Sequence, residues 1–235
     1  MMNSSTFAAS CSIFALVAAC GSETLDGGSS DDALYVRQAL ARGAATDDQA
    51  CVYRPDAAWP ALSRGTLDLD VRDRYDATLL LESKAGGFRL EGAHVRVVSA
   101  GSGPVIGEVD AVVGGVVDSG GVGVATFQAI DPALTAKLRT MGDTRQPKDV
   151  VLEITVRASP VAGSGISSAP TFSLPLTVCN GCLIDFANSD DPLVPGRDCN
   201  LSPATQSRTP CRMGQDETFW CGMCRDSVPA CRSSE

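Results

Sequence analysis

The feature that most constrains the fold is an alternation of apolar and polar residues with a period of two, which recurs between residues 51 and 178. Successive side chains of a β-strand point to opposite faces, so this period indicates strands with one buried face. The clearest segments are 67–71, 75–81, 88–97, 105–117, 122–130, 152–156 and 172–178. Many short strands separated by turn signals are typical of an antiparallel sandwich, with a closed barrel as the main alternative. We therefore predict a mainly-β body over residues 51–178.

Local signals predict how two of these strands pair and face. Asp68 and Asp70 alternate with apolar neighbours, which predicts that both carboxylates lie on a solvent-facing side of segment 67–71. Segment 75–81 follows closely enough to be the antiparallel partner of segment 67–71. The sequence Asp-Ser-Gly-Gly at 118–121 predicts a turn between segments 105–117 and 122–130.

Other residues mark irregularities and helices. Gly92, inside a strand pattern, predicts a bulge, and Pro175 predicts that the last strand lies at a sheet edge. Asp131 followed by a proline predicts the N-terminus of a short helix. A looser capping signal at 29–32 predicts a second short helix at 33–42, with a disordered stalk as the alternative.

The cysteines predict a disulfide-rich C-terminal region. Apart from Cys11 and Cys20, eight of the ten cysteines remain, an even number as in the frameworks of exported proteins. These eight are Cys51, Cys179, Cys182, Cys199, Cys211, Cys221, Cys224 and Cys231. Seven of them lie in residues 179–235, so complete pairing requires Cys51 to bond to that tail. The connectivity stays open, because eight cysteines can pair in many ways.

An apolar stretch near the N-terminus ends at Cys20. Residues 12–20 read Ser-Ile-Phe-Ala-Leu-Val-Ala-Ala-Cys. The stretch is too short to cross a bilayer as a helix and has the length of the apolar part of a secretory signal. No Lys or Arg precedes it, so an ordinary signal peptide cut at another small residue, with Cys20 free or bridged, is the alternative.

Residues 17–20, Val-Ala-Ala-Cys, closely resemble the lipobox of bacterial lipoproteins. The resemblance implies that the Cys20 thiol is diacylglycerylated, that residues 1–19 are removed as a signal peptide, and that the new N-terminus receives an acyl chain such as palmitate. Gly21 and Ser22 follow Cys20 instead of the Asp that commonly signals inner-membrane retention, which implies sorting to the outer membrane or cell surface.

The whole plan resembles lipoproteins common in myxobacteria, and the strand pattern resembles immunoglobulin-like domains without their Cys-Trp-Cys spacing. We therefore expect a signal peptide at 1–19, a lipidated tether with a short helix at 20–50, an antiparallel immunoglobulin-like β-sandwich at 51–178, and an irregular disulfide-rich tail at 179–235.

The charge of the chain limits the kinds of partner that we expect. The chain has 19 Lys and Arg against 28 Asp and Glu, a formal net charge of -9. Without a basic cluster it has nothing to hold phosphates, so we expect no nucleic-acid partner. No second apolar run is long enough to cross a membrane, which leaves the lipid at Cys20 as the expected membrane attachment.

The candidate chemical groups are two Cys-x-x-Cys units, at 179–182 and 221–224. The 38 residues between them, 183–220, exceed the roughly 15–20 of zinc ribbons, and neither unit opens an apparent helix, as a redox motif requires. His94, the single histidine, alternates with apolar residues on what reads as the polar face, with no nucleophile elbow elsewhere. We expect no catalytic residue, no metal and no cofactor.

The sequence thus predicts a non-enzymatic, lipid-anchored envelope protein that binds or builds something at the cell envelope, such as another envelope protein or a polysaccharide. The alternative is an envelope thiol-disulfide oxidoreductase that uses one of the Cys-x-x-Cys pairs.

Overall fold

Strands account for most of the residues that the structure, a computed structural model, describes, namely 34–41, 61–101, 103–141, 146–185, 211–220 and 231. The strands are β1 (Leu34–Ala39), β2 (Gly65–Asp68), β3 (Tyr75–Ser83), β4 (Phe88–Ser99), β5 (Val105–Val112), β6 (Val116–Val117), β7 (Val122–Ile130), β8 (Lys148–Pro160), β9 (Ser167–Ser168), β10 (Phe172–Cys179), β11 (Ile184–Asp185) and β12 (Phe219–Trp220). One helix, α1 (Pro132–Thr140), lies among these residues. The prediction of a mainly-β fold is confirmed.

A seven-stranded sheet forms the larger part of the body. Its strands lie in the order β2-β10-β8-β4-β5, with β6 paired to β4 and β9 paired to β8. All of these pairs are antiparallel except β2 with β10, which run parallel. The smaller sheet has the antiparallel order β1-β3-β7. The two sheets do not join into one closed ladder within the described residues, so the barrel alternative is wrong for them.

The core follows the predicted alternation. On the central strand β8, Leu152, Ile154 and Val156 are fully buried, and on the neighbouring strand β4, Val95 and Val97 are fully buried. Buried residues of both sheets belong to one hydrophobic cluster. Each such side chain contributes about 1.5–3 kcal/mol when it is removed from water, which makes this cluster the main stabilising feature of the body.

Helix α1 begins where the sequence predicts. The side chain of Asp131 accepts a hydrogen bond from the Leu134 amide at 2.7 Å, which satisfies one of the free N–H groups of the first turn. Pro132 occupies the first helical turn, where its missing N–H costs nothing. Leu134 and Leu138 are buried on one face, so the helix packs against the sheets with its apolar side.

The second predicted helix, at 33–42, is wrong because Leu34–Ala39 forms strand β1. This strand pairs with β3, Leu34 opposite Ser83 and Ala39 opposite Leu79. Pairing with β3 outweighs a loose capping signal, since tertiary contacts override weak local preferences. The β-structure therefore begins earlier in the chain than the predicted boundary at residue 51.

The predicted hairpin between segments 67–71 and 75–81 is also wrong. Strand β2 pairs with β10, more than 100 residues away, while β3 pairs with β1 and β7 in the other sheet. Segments 105–117 and 122–130 likewise end in different sheets, because β5 pairs with β4 and β7 pairs with β3. In these two cases the segments on either side of a short turn are not partners, because the turn carries the chain from one sheet to the other.

Two single-residue signals have different outcomes. The predicted bulge at Gly92 is confirmed by a register shift between Leu90 and Gly92 where β4 pairs with β8. The edge prediction from Pro175 is wrong, since β10 lies between β8 and β2. The proline is tolerated because β2 pairs with β10 only from Leu176 onward, so the missing N–H removes no bond from that ladder.

Among the described residues, no helix combines the length and the hydrophobicity that crossing a bilayer requires.

Candidate functional site

The Cys-x-x-Cys unit at 179–182 lies at one end of the larger sheet. Cys179 is the last residue of β10 and is 3% exposed, whereas Cys182 lies in the following turn and is exposed. The two are joined by a disulfide, with their Cα atoms 5.9 Å apart. Gly181 has a φ of 73°, the left-handed region that glycine adopts at least cost, so the tight turn needs this residue type.

Asp68 holds this turn in place. It ends strand β2 and lies opposite Cys179 in the parallel ladder with β10. Its carboxylate is fully buried, and Oδ1 accepts hydrogen bonds from the amides of Gly181 at 2.7 Å and Asp70 at 3.0 Å. Oδ2 accepts a hydrogen bond from the amide of Leu183 at 2.9 Å. One carboxylate therefore satisfies amides of two chain segments at once, and we call this arrangement the Asp68 turn.

This burial corrects the prediction of a solvent-facing Asp68. Strand β2 ends at this residue, and the cysteine turn covers the face that the alternation marks as polar. Asp70 is exposed as predicted, and the pKa of its carboxyl is raised by partial burial and by the nearby Asp68 carboxylate, against the Arg139 charge. The sequence contains no local signal for the burial of Asp68, because two of the three amides that it binds, those of Gly181 and Leu183, lie more than 100 residues away.

Asp68, Cys179 and Cys182 form a group of three potential metal-ligating side chains whose ligand atoms lie within 4.8 Å of one another. Metal binding by cysteine uses the thiolate, and both sulfurs here are consumed in the disulfide. While the disulfide is intact, the three side chains therefore have a structural role, and the buried carboxylate accepts hydrogen bonds from backbone amides.

A second polar cluster lies beside the Asp68 turn, where the 211–217 segment of the cysteine-rich tail covers the outer edge of β2. The Asp68 amide donates to the Gly214 carbonyl at 2.9 Å, and the Asp216 amide donates to the Thr66 carbonyl at 3.0 Å. Leu67 and Gln215 form an antiparallel bridge between these two bonds. The 211–217 segment thus protects the edge of the sheet as a short extra strand would.

The same segment also binds the start of strand β3 in the smaller sheet. The side-chain amide of Gln215 accepts from the Asp76 amide at 2.9 Å and donates to the Asp76 carbonyl at 2.7 Å, as a neighbouring strand would. Arg212 Nη1 donates to the same carbonyl at 2.8 Å. Gln215 is 3% exposed, so these bonds are shielded from water. One short segment of the tail therefore links the edge of the larger sheet to the smaller sheet.

Asp216 is the titratable group of this second cluster. It has a φ of 59°, uncommon for a residue other than glycine, and its carboxylate accepts from the Thr66 amide at 2.6 Å and the Tyr75 hydroxyl at 3.0 Å. Burial raises the pKa of this carboxyl, although the hydrogen bonds from Thr66, Tyr75 and Gln215 and the Arg212 charge oppose the effect. The hydrogen bonds of the Asp216 carboxylate hold the 211–217 segment in its conformation. Removing the charged carboxylate from water costs part of the free energy that these bonds contribute.

The other predicted site residues separate into two groups. Cys211 and Cys231 are disulfide-bonded. Outside the described residues lie the lipidation candidate and four more disulfide candidates: Cys20, Cys51, Cys199, Cys221 and Cys224.

His94 lies on the outer face of β4, as its position in the alternation predicts. Its Nδ1 is 3.2 Å from a carboxylate oxygen of Asp110, and its Nε2 is 4.0 Å from one of Glu108. Arg157 also reaches Asp110, at 3.3 Å. These are partly exposed polar contacts across neighbouring strands, a common arrangement on the solvent-exposed face of a sheet, and each contributes little to stability.

A surface cavity of about 310 Å³ lies beside the 211–217 segment. Its lining consists of Val71, Arg72, Asp73, Arg74, Cys211 and Met213. Arg72 is paired with Asp76 at 2.6 Å, so the charge of its guanidinium is already engaged within the protein. Cys211, the cysteine of this lining, is disulfide-bonded and carries no free thiol.

No known protein family matches the sequence, and no curated protein matches it either. Among solved structures, the periplasmic chaperone SfaE is similar with a TM-score of 0.27 and 7% identity, over 51% of this chain and 54% of the chaperone. A late embryogenesis abundant protein is similar with a TM-score of 0.26 and 18% identity, over 48% of this chain and 66% of the other. This chain thus spans about half of the chaperone's length, and TM-scores this low carry no argument about its function.

Proposed function

We propose that this chain is a lipid-anchored protein of the bacterial envelope with a binding or structural role. In this proposal residues 1–19 are a signal peptide, and Cys20 carries a diacylglyceryl group and an acyl chain at the outer membrane or cell surface. Support comes from the apolar stretch and from the resemblance of residues 17–20 to a lipobox. The partner we propose is another envelope protein or a polysaccharide.

The two sheets form an immunoglobulin-like sandwich in this proposal, followed by a disulfide-rich tail. Support comes from the buried residues of both sheets, which belong to one hydrophobic cluster. The proposal of a disulfide-rich tail is supported by the cysteines that are disulfide-bonded, namely Cys179, Cys182, Cys211 and Cys231. A body stapled by disulfides suits an oxidising compartment outside the cytoplasm.

The Asp68 turn is the main observation that supports a non-enzymatic role for this protein. A reactive cysteine needs a lowered thiol pKa, which a helix N-terminus or a nearby cation provides. Here a buried carboxylate lies within 4.8 Å of both sulfurs, and a negative charge at that distance opposes formation of a thiolate. The hydrogen bonds of that carboxylate also fix the turn in one conformation. This environment suits a structural bridge.

A thiol-disulfide oxidoreductase is the second candidate, and the exposure of Cys182 favours it. An exposed sulfur is accessible to an external thiolate, as exchange requires. The two candidates differ in the reactivity of the reduced pair. After reduction, a catalytic pair would be alkylated rapidly near neutral pH, whereas a structural pair beside Asp68 would require alkaline pH.

The first experiment is the intact mass of the protein extracted from native membranes, denatured, and alkylated without a reductant. We expect an N-terminus at Cys20, a mass gain matching a diacylglyceryl group and an acyl chain, and no alkylation. A Cys20→Ser variant, which cannot be lipidated through the thiol, is the control and should stay unprocessed. An unmodified Cys20, or two or more alkylated thiols, would contradict the proposal.

A further inference from the structure

The described chain enters the body at one end of the two sheets. Strand β1 begins at Leu34, opposite Ser83 at the end of β3. The Ser83 amide donates to the Gly121 carbonyl at 3.0 Å, and the Gly86 amide donates to the Ser119 hydroxyl at 3.0 Å. The turns that join β3 to β4 and β6 to β7 therefore lie at this end. We call it the entry end; the Asp68 turn lies at the opposite end of the larger sheet.

The entry end carries several exposed apolar side chains. Four of the six large hydrophobic side chains that are exposed among the described residues belong to it: Val112 at 90%, Val116 at 56%, Val161 at 60% and Ile166 at 73%. We call these four the entry patch.

Register and hydrogen bonds place the four residues at the same end. Val116 lies opposite Arg89 near the start of β4, and the Val161 amide donates to the Gly87 carbonyl at 2.8 Å. Val112 ends β5, and Ile166 immediately precedes β9. The patch therefore spans strands β5, β4, β8 and β9, about 14 Å at the usual strand spacing.

An aromatic and a cationic side chain also lie at the entry end. Tyr35, the second residue of β1, lies beneath the ammonium of Lys84, with 5.9 Å between Nζ and the ring centroid. Long amphipathic side chains of these two types are found at the level of lipid headgroups, where an apolar body and a polar tip are both accommodated. The entry end thus combines exposed aliphatic side chains with residue types that suit a membrane surface.

The length of chain before β1 ties this end to a membrane. Cys20 and Leu34 are 14 residues apart, which limits their separation to about 50 Å even for a fully extended chain. Strand β8 has 13 residues and is therefore about 43 Å long, so the entry end, where the tether joins the body, is separated from the opposite end of the sheet by about that distance. The entry end is therefore the part of the body to which an anchor at Cys20 is joined most directly.

We propose that the entry patch contacts the surface of the lipid bilayer and inserts its four aliphatic side chains among the headgroups. This inference rests on the proposed lipid anchor at Cys20. The net charge of -9 gives the body no attraction to anionic lipids, so apolar contact drives the association. The contact orients the body with its cysteine-rich end away from the membrane.

The test compares the depth of two single tryptophans in the full-length lipidated protein. Ile166→Trp places the probe in the entry patch, and Val105→Trp, at another exposed valine 44% accessible, places it at the far end of β5. Each variant is reconstituted in phosphatidylcholine vesicles with brominated acyl chains, and the signal of the parent protein, which has two tryptophans, is subtracted. Both sites are exposed, and circular dichroism checks that each variant keeps the fold.

We expect quenching of Ile166→Trp to exceed that of Val105→Trp by at least threefold and to be unchanged by added salt. Equal quenching of the two probes overturns the inference. Loss of the difference in a chain that self-associates on the vesicle would mean that a second copy covers the patch, which also overturns it. The intact mass of the same sample separates the two proposals, because a sample without lipid at Cys20 contradicts the anchor, whereas a lipidated sample with equal quenching contradicts only the orientation.

Discussion

The centre of the larger sheet and its cysteine-bearing end are both buried, but they are buried by different means. At the centre, Val95, Leu152 and Ile154 are fully buried apolar side chains. At the end, Asp68 and Gln215 are buried polar side chains whose hydrogen bonds go to the backbone of other segments. The centre is stabilised by removing apolar area from water, whereas the end is stabilised only while each donor and acceptor keeps its partner.

This difference teaches where the molecule tolerates change. Aliphatic side chains at the centre can be exchanged for others of similar volume at modest cost. The polar end has no such freedom, because a buried amide that loses its acceptor retains the full cost of its desolvation. We therefore expect substitutions at the cysteine-bearing end, the smaller of the two regions, to cause the largest losses of stability.

Asp68→Ala is expected to cause the largest loss of stability. It leaves the amides of Gly181, Leu183 and Asp70 without their acceptor. These bonds are partly buried, and at about 1–3 kcal/mol for a fully buried group we expect a total loss of about 4 kcal/mol. Asp73→Ala, which removes an exposed carboxylate in the next turn of chain, is the matched control and should change stability by less than about 0.5 kcal/mol. Urea unfolding measures both, and equal midpoints would remove the special role of Asp68.

Leu152→Ala tests the apolar centre. The side chain is fully buried between its neighbours, so its truncation leaves a cavity and should reduce the free energy of unfolding by about 3 kcal/mol. Val112→Ala, at a residue that is 90% exposed, is the control and should have almost no effect on the same measurement. A loss at Leu152 larger than that of Asp68→Ala would reverse the comparison between the two regions.

The double variant Cys179→Ala and Cys182→Ala separates the covalent link from the hydrogen bonds at the cysteine end. The disulfide closes a loop with a sequence separation of three residues, and a loop that short contributes about 2 kcal/mol through chain entropy. We expect this loss to be about half that of Asp68→Ala in the same urea experiment. A larger loss than that of Asp68→Ala would show that the bridge, rather than the carboxylate, holds the turn.

The smallest expected effect is a dependence on pH that comes from Asp216. Burial raises the pKa of this carboxyl above its usual 3.8, so the folded state binds the proton more tightly than the unfolded state does. The stabilisation that follows is present below the usual pKa and is lost as the pH rises through the raised pKa. Relative to Asp216→Asn, the wild-type chain should therefore gain stability as the pH falls from 7 toward 4. A difference that is constant over this range would contradict the raised pKa.

The sequence predicts the apolar centre well because its signals are local. The alternation through Leu152, Ile154 and Val156 depends only on the period of a strand, and the N-cap at Asp131 depends only on the amide three residues later. The bulge at Gly92 is likewise a property of one position within its own strand. In each case the physical cause lies within a few residues of the signal.

The polar end was not predictable, because its causes are distant in the chain. The alternation around Asp68 is the same as that of a half-exposed strand, and only the remote turn at 179–183 converts its polar face into a buried one. The role of Gln215 is equally hidden, because its partner Asp76 lies 139 residues away. Strand partners at such separations are set by the whole fold rather than by either segment.

The parallel pairing of β2 with β10 has a consequence for the order in which the chain folds. The N-terminal half supplies β2, but its ladder partner begins at Phe172 and its edge cover begins near residue 211. During synthesis β2 therefore has no partner until almost the whole chain has been made, while the β3–β7 ladder closes after far fewer residues. The cysteine turn next to β10 is local and can close before β2 docks. A ribosome-stalled chain that ends before residue 172 should accordingly protect β3 from proteolysis and leave β2 open to it.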